Sequence, residues 1–211
     1  MTRVAFIIDG YFFQKQIIKH RPFYLDGKGI RGYCCKHLRR DEKIYRIFFY
    51  DTPPLDMKGH NLVTGKGVDF SKERVAIRQN QLFKSLKETP NVALRLGKTA
   101  WNNKEWVLKN ERLKSLLKKE ITVDDLTEQD VKPNIGQKAV DMKMGLDIAL
   151  MAIKKLVDKI IVISGDADIV PALKLARQEG LQVGLDPLWN PIQDDLREHV
   201  DYLSTKFSPK R

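Results

Sequence analysis

Residues 159–164, KIIVIS, form an unbroken apolar, largely β-branched run after the opening lysine. A strand of this composition has no face suited to water, so it fits the middle of a parallel sheet covered by helices on both sides. Few folds can place such a strand. The chain around it alternates in the matching way. RVAFII (3–8) predicts a buried first strand ending at Asp9-Gly10, followed by a helix over 11–20. KIYRIFFY (43–50) and NVALRLGK (91–98) predict two further strands. Between them, 71–88 predicts a helix with Ser71 as its cap and Val75, Leu82 and Leu86 on its apolar face.

Residues 137–157 are apolar nearly all round, as expected of a buried helix. A helix over 169–179 has Pro171 in its first turn; a strand over 181–186 and a terminal helix over 192–203 complete the series. Segments 21–35 and 55–70 read as loops, rich in glycine and lacking sustained periodicity. The expected fold is α/β, three layers with a mostly parallel central sheet. At 211 residues the chain suits a single domain, with a basic insertion around 99–130.

Charge narrows the class of partner. Lys and Arg number 38 against 27 Asp and Glu, a formal +11. Such an excess favours a polyanion, because each phosphate neutralised releases condensed counterions. The bases are uneven: 98–120 holds seven bases and three acids, whereas 121–130 holds four acids and no base. Within the first stretch, Lys104, Lys109 and Arg112 are candidate backbone contacts. Trp101 and Trp106 have two readings, stacking on a single strand or packing within the insertion. No apolar run approaches the roughly 18–20 residues that span a bilayer, so no membrane association is expected. The two cysteines are the neighbours Cys34 and Cys35, which cannot bridge to one another without strain. They read as free thiols, and a cytoplasmic location is expected.

Against this basic background, a few acids are placed at strand and helix ends. Ligand sites in parallel sheets lie beyond the carboxyl ends of the strands. Asp9 follows the first strand directly, and Asp166 and Asp168 follow the 159–164 strand. The helix feeding into that strand runs antiparallel to it, so Asp141 in its first turn is carried to the same rim. Asp147, six residues on, lies about 9 Å further along the axis and about 120° around it. It therefore ranks below Asp141. Hard oxygen ligands of this kind suit Mg²⁺ or Mn²⁺. Each acid also has a bland reading as turn residue, cap or helix-start charge. The joint placement carries the argument.

FIIDG (6–10), KAVDMKMGLDIALMA (138–152) and VISGDADIVPALKLARQEGLQV (162–183) occur in an order that resembles the NYN branch of the PIN-like nuclease superfamily. The resemblance implies a PIN-like α/β/α fold and Mg²⁺- or Mn²⁺-dependent hydrolysis of RNA, less often DNA. It implies Asp9, Asp141, Asp166 and Asp168 as catalytic metal ligands, Asp147 as a further acidic metal position on the helix, and Ser164 as a hydroxyl near the site and a candidate contact to the nucleic acid. Lys138, beside the Val-Asp element, is a further candidate contact to the nucleic acid. The chain departs from the pattern at Tyr11, where many relatives have Asn, and at Ile169, where the commoner residue is Phe. A phosphatase of the haloacid-dehalogenase type would need a second acid where Tyr11 stands, and a dinucleotide-binding domain needs a glycine-rich turn that Asp-Gly-Tyr-Phe lacks. The remaining alternative is a nucleic-acid-binding adaptor that keeps the fold without turnover. Assembly as a homo-oligomer is left open.

Overall fold

The computed structural model describes residues 1–20 and 23–209. In chain order the elements are β1 (Thr2–Asp9), α1 (Gly10–His20), α2 (Gly27–Cys35), β2 (Glu42–Asp51), β3 (Lys58–His60), β4 (Gly67–Asp69) and α3 (Arg74–Lys87). There follow β5 (Val92–Leu96), β6 (Lys98–Leu108), α4 (Asn110–Leu117), β7 (Val131–Lys138) and α5 (Val140–Ile153). The last are β8 (Lys159–Ile163), α6 (Val170–Gln178), β9 (Gln182–Asp186), α7 (Asp194–Glu198) and β10 (Tyr202–Leu203). Two compact units result. The first comprises Met1–Asp51, Gln81–Gly97 and Ala139–Arg211; the second comprises Thr52–Asn80 and Lys98–Lys138.

The first unit is built on a six-stranded sheet in the order β10-β9-β8-β1-β2-β5, parallel throughout. β1 and β8 lie side by side at its centre, and every residue of β8 is buried. Alternate strand residues feed two cores. Ala5, Ile7, Phe48, Tyr50, Ile160 and Val162 face α5 and α6, while Phe6, Ile8, Ile47, Phe49, Ile161 and Ile163 face α1, α2 and the end of α3. The three-layer α/β expectation therefore holds. From β1 the chain proceeds outward through β2 to β5, then returns to β8 and continues the other way, so the strand order reverses between β1 and β8.

The second unit holds two antiparallel pairs, β3 with β4 and β6 with β7. Trp101, Trp106 and Phe70 form its aromatic centre, with ring centroids 5.3–6.0 Å apart. A Cβ on Gly59 would sit 2.6 Å from the Trp101 ring, so that residue must be glycine for the indole to close over the β3 backbone. Of the two readings of the tryptophans, the packed one describes this structure.

Several local expectations need correction. Residues 27–35 of the expected loop form α2, whose N-cap Asp26 accepts the Gly29 amide; positions 21 and 22 lie outside the described residues. The short apolar pattern Ile30, Tyr33, Cys34 that buries this helix was masked by its glycines. Part of 55–70 pairs as the β3–β4 hairpin. Ser71 is not a cap: Asp69 takes the Ser71 amide in a short 3-10 turn, and α3 starts at Arg74. Val75 is accordingly 70% exposed, whereas Leu82 and Leu86 are buried. The helix expected over 137–157 begins at Val140, because its first residues belong to β7. Nor is it buried all round, since Met142, Leu146, Leu150 and Ile153 form an exposed stripe. The terminal helix expected over 192–203 is a single turn, α7, followed by β10.

Candidate metal centre

The carboxyl end of the β1–β8 pair gathers the acids. Asp9 ends β1, and the chain must turn immediately into α1. It can do so only through glycine: a Cβ on Gly10 would lie 2.5 Å from the Tyr50 carbonyl and 2.6 Å from the Phe49 ring. The Asp9 Oδ1 accepts the Phe12 amide at 3.1 Å, which fixes the carboxylate at the helix start.

Beyond β8 the loop Ser164-Gly165-Asp166-Ala167-Asp168 is equally constrained. Ser164 is 1% exposed, and its hydroxyl accepts the Asp166 amide at 3.1 Å. Asp166 Oδ1 in turn accepts the Asp168 amide at 3.0 Å, turning both carboxylates within one short bend. Gly165 passes under Phe12 of α1, where a Cβ would meet the ring at 2.9 Å. The third component is α5. Its N-cap, Ala139, has φ 67°, a left-handed conformation that carries the backbone out of β7 and places Asp141 in the first helical turn.

Asp141, Asp166 and Asp168 offer carboxylate oxygens that all lie within 4.8 Å of one another, and all three residues are exposed. Three like charges this close repel. Burial, then the charges of Asp166 and Asp168, raises the pKa of Asp141. Asp9 lies outside the 4.8 Å group but within its field. Burial first, with contributions from Asp141 and Asp166, lifts its carboxyl to about 6 despite the Phe12 hydrogen bond. The donor set is oxygen only and open to solvent. That chemistry fits a hard divalent cation that keeps part of its water shell.

Asp147 is committed elsewhere. Its Oδ2 accepts the Tyr50 hydroxyl at 2.8 Å and faces the Arg95 Nε at 3.2 Å, so it ties α5 to β2 and β5. The candidate bases Lys104, Lys109, Arg112 and Lys138 all belong to the second unit. There Arg112 is paired with Asp130 at 2.8 Å, and Lys138 ends β7 instead of opening the helix.

Two acids at the same sheet edge were not singled out from the sequence. Asp51 ends β2 and Asp186 ends β9, as Asp9 ends β1. Their common position, a strand-terminal Asp after an apolar run, was the available signal. Asp51 is 2% exposed and accepts the Gln14 side-chain amide at 2.6 Å. Asp186 is fully buried and takes the Tyr33 hydroxyl at 2.5 Å, the Thr205 hydroxyl at 2.6 Å and the Leu188 amide at 2.9 Å. Its oxygens are engaged in holding the C-terminal segment to α2.

The NYN domain family matches residues 55–204, a span that includes Asp141, Asp166 and Asp168 but not Asp9. No curated protein matches the chain. Among solved structures, a protein of unknown function from Vibrio parahaemolyticus is similar over 96% of this chain and 91% of its own, with a TM-score of 0.51 and 14% identity. That likeness is one of fold.

Proposed function

Because this chain belongs to the NYN domain family, and so carries a nuclease-type domain of the PIN-like kind, we propose that it is a divalent-metal-dependent endonuclease acting on RNA. The observation that carries this reading is the exposed triad of Asp141, Asp166 and Asp168 at the point where strand order reverses. A protein that only binds phosphates has no use for clustered carboxylates on a basic chain. The triad would hold Mg²⁺ or Mn²⁺, with Asp9 as the fourth carboxylate beside it. Bound there, the cation supplies Lewis-acid chemistry, offsetting charge that grows on the phosphodiester and making water nucleophilic near neutral pH.

The protein's own groups contribute orientation. The Asp166–Asp168 and Ser164–Asp166 hydrogen bonds hold the loop in one conformation. Ser164 is 1% exposed and its hydroxyl serves the loop, so it would support the site and not contact the nucleic acid. Asp9, fixed by the Phe12 amide, closes the β1 side of the rim. Bases of the second unit, Lys104, Lys109 and Lys138, would contact the phosphate backbone, while Arg112 would do so only by giving up part of its pairing with Asp130. Among the described residues no helix is long and apolar enough to cross a membrane, and the partner proposed is nucleic acid.

Incubating labelled single-stranded RNA and DNA with the protein in Mn²⁺, Mg²⁺ or EDTA tests the reading. Cleavage is expected with the divalent ions, absent in EDTA, and reduced at least a thousandfold in Asp166→Asn. Undiminished cutting by that variant refutes the assignment. Binding without cutting under every ion leaves a nucleic-acid-binding adaptor.

A further inference from the structure

The opposite edge of the same sheet carries a surface of the other sign. Between Lys36 and Arg46 the chain has five bases, Lys36, Arg39, Arg40, Lys43 and Arg46, against Asp41 and Glu42. All five bases are exposed. One of the two acids is already spent: Glu42 is 8% exposed, with Oε1 at 2.9 Å from the Lys159 ammonium and Oε2 accepting the Arg39 amide at 2.8 Å.

Some exposed cations elsewhere are paired, as in Arg3 with Asp158, Arg95 with Asp147 and Arg177 with Asp201, and others, such as Lys15 and Lys174, are not; what marks 36–46 is five exposed bases within eleven residues. None of the five enters an ion pair among the described residues. An unpaired cluster on a chain of +11 raises self-repulsion and adds nothing to folding.

The backbone presents this cluster. β2 pairs with β5 only from Ile47 onward, so residues 42–46 overhang that neighbour. The register of β2 against β1 slips between Val4 and Ala5, which leaves Tyr45 without a partner in the ladder. A bulge of this kind redirects side chains. Tyr45 and Arg46, consecutive in the chain, are both exposed at this bulge, and Lys43 is exposed two residues before it, so an aromatic ring is set among the bases. Lys43 and Tyr50, the residue opposite Asp9, are separated along β2 by about 23 Å at normal strand rise.

We propose that Lys36, Arg39, Arg40, Lys43 and Arg46, with Tyr45 as a stacking platform, form a second contact for a single-stranded nucleic acid whose other part lies at the acidic rim. The proposal rests on the nuclease reading for its substrate class, but its test needs no cleavage. A strand reaching both sites must run the length of the sheet edge to edge, so the surface favours long polymers over short oligonucleotides.

Anisotropy of a labelled oligouridine of about thirty nucleotides, longer than the ~4–16 that one single-strand groove covers, is measured in EDTA across a salt series. The combined Arg39→Gln, Arg40→Gln, Lys43→Gln variant should bind at least tenfold more weakly. Its slope of log affinity against log salt should fall by about 2, from three lost contacts at ~0.7 each. Tyr45→Ala should cost about fivefold or more, with the slope kept. The charge-conserving Arg39→Lys, Arg40→Lys, Lys43→Arg variant should keep the wild-type slope, and a loss equal to that of the glutamine variant would overturn the proposal. So would a glutamine variant with unchanged affinity and slope, or an effect seen on phosphatidylserine vesicles and not on the oligonucleotide. Wild-type protein that binds no oligonucleotide would remove both this surface and nucleic acid as the partner. A protein that binds as predicted yet never cuts would leave the surface standing and remove only the nuclease reading.

Discussion

At the scale of single residues, Asp9 shows how the rim is held under electrostatic load. Its pKa of about 6 comes mainly from burial, with Asp141 and Asp166 adding repulsion. An acid whose folded pKa is raised favours the folded state most below its unfolded value, near 3.9. That contribution is lost as the pH climbs to about 6, above which the ionised carboxylate burdens the fold. In metal-free protein, Asp9→Asn should therefore raise stability at pH 7.5 by on the order of 2–3 kcal/mol, since each pKa unit is worth about 1.4 kcal/mol. The gain should shrink towards pH 4.5. Thermal melts in EDTA at the two pH values test this, and equal melting temperatures for variant and wild type at pH 7.5 would contradict it. Asp147 belongs to a different class of carboxylate. Asp147→Asn should weaken the Arg95 contact and lower stability by about 1 kcal/mol, without abolishing cleavage.

At the scale of elements, two glycines let helix, strand and loop approach one another closely enough to form the site. A side chain on Gly10 meets backbone at 2.5 Å, which cannot be relieved by rotating a rotamer. Gly10→Ala should cost about 2–3 kcal/mol, within the range for overpacked interiors. A chemical-denaturation midpoint equal to wild type would show that α1 can shift away. Gly165→Ala meets the edge of the Phe12 ring at 2.9 Å, so a smaller loss is expected, since the ring can tilt. The central elements could be read from the sequence because burial on both faces leaves so few residue types for β8, and because strand–helix alternation fixes direction. The placement of Asp141 followed from that direction alone. The middle elements were hidden for physical reasons. α2 is glycine-rich, so its helical spacing rests on Ile30, Tyr33 and Cys34. α5 reads as apolar all round because its outer stripe, Met142, Leu146, Leu150 and Ile153, is apolar but exposed. Composition cannot separate a buried face from an uncovered one.

For the whole molecule, charge and fold divide the labour. The clustered acids sit at the carboxyl edge of one parallel sheet, and the exposed bases of 36–46 sit at its amino edge. Net charge pointed towards a polyanion, and counting along the chain drew attention to 98–120, where Arg112 and Lys118 prove to be paired while the other five bases enter no ion pair among the described residues. Pairing is a property of the folded chain, so only the structure separates committed cations from free ones. Binding of RNA should weaken steeply with salt, and a flat response would remove the electrostatic basis of the account. The central claim is that Asp141, Asp166 and Asp168 form a divalent-metal site, and titration calorimetry with Mn²⁺ tests it most directly, without any choice of substrate. Wild-type protein should take up Mn²⁺ saturably, and Asp168→Asn should weaken that uptake at least tenfold. Mn²⁺ binding that is absent from the wild type, or equal in the variant, would contradict it.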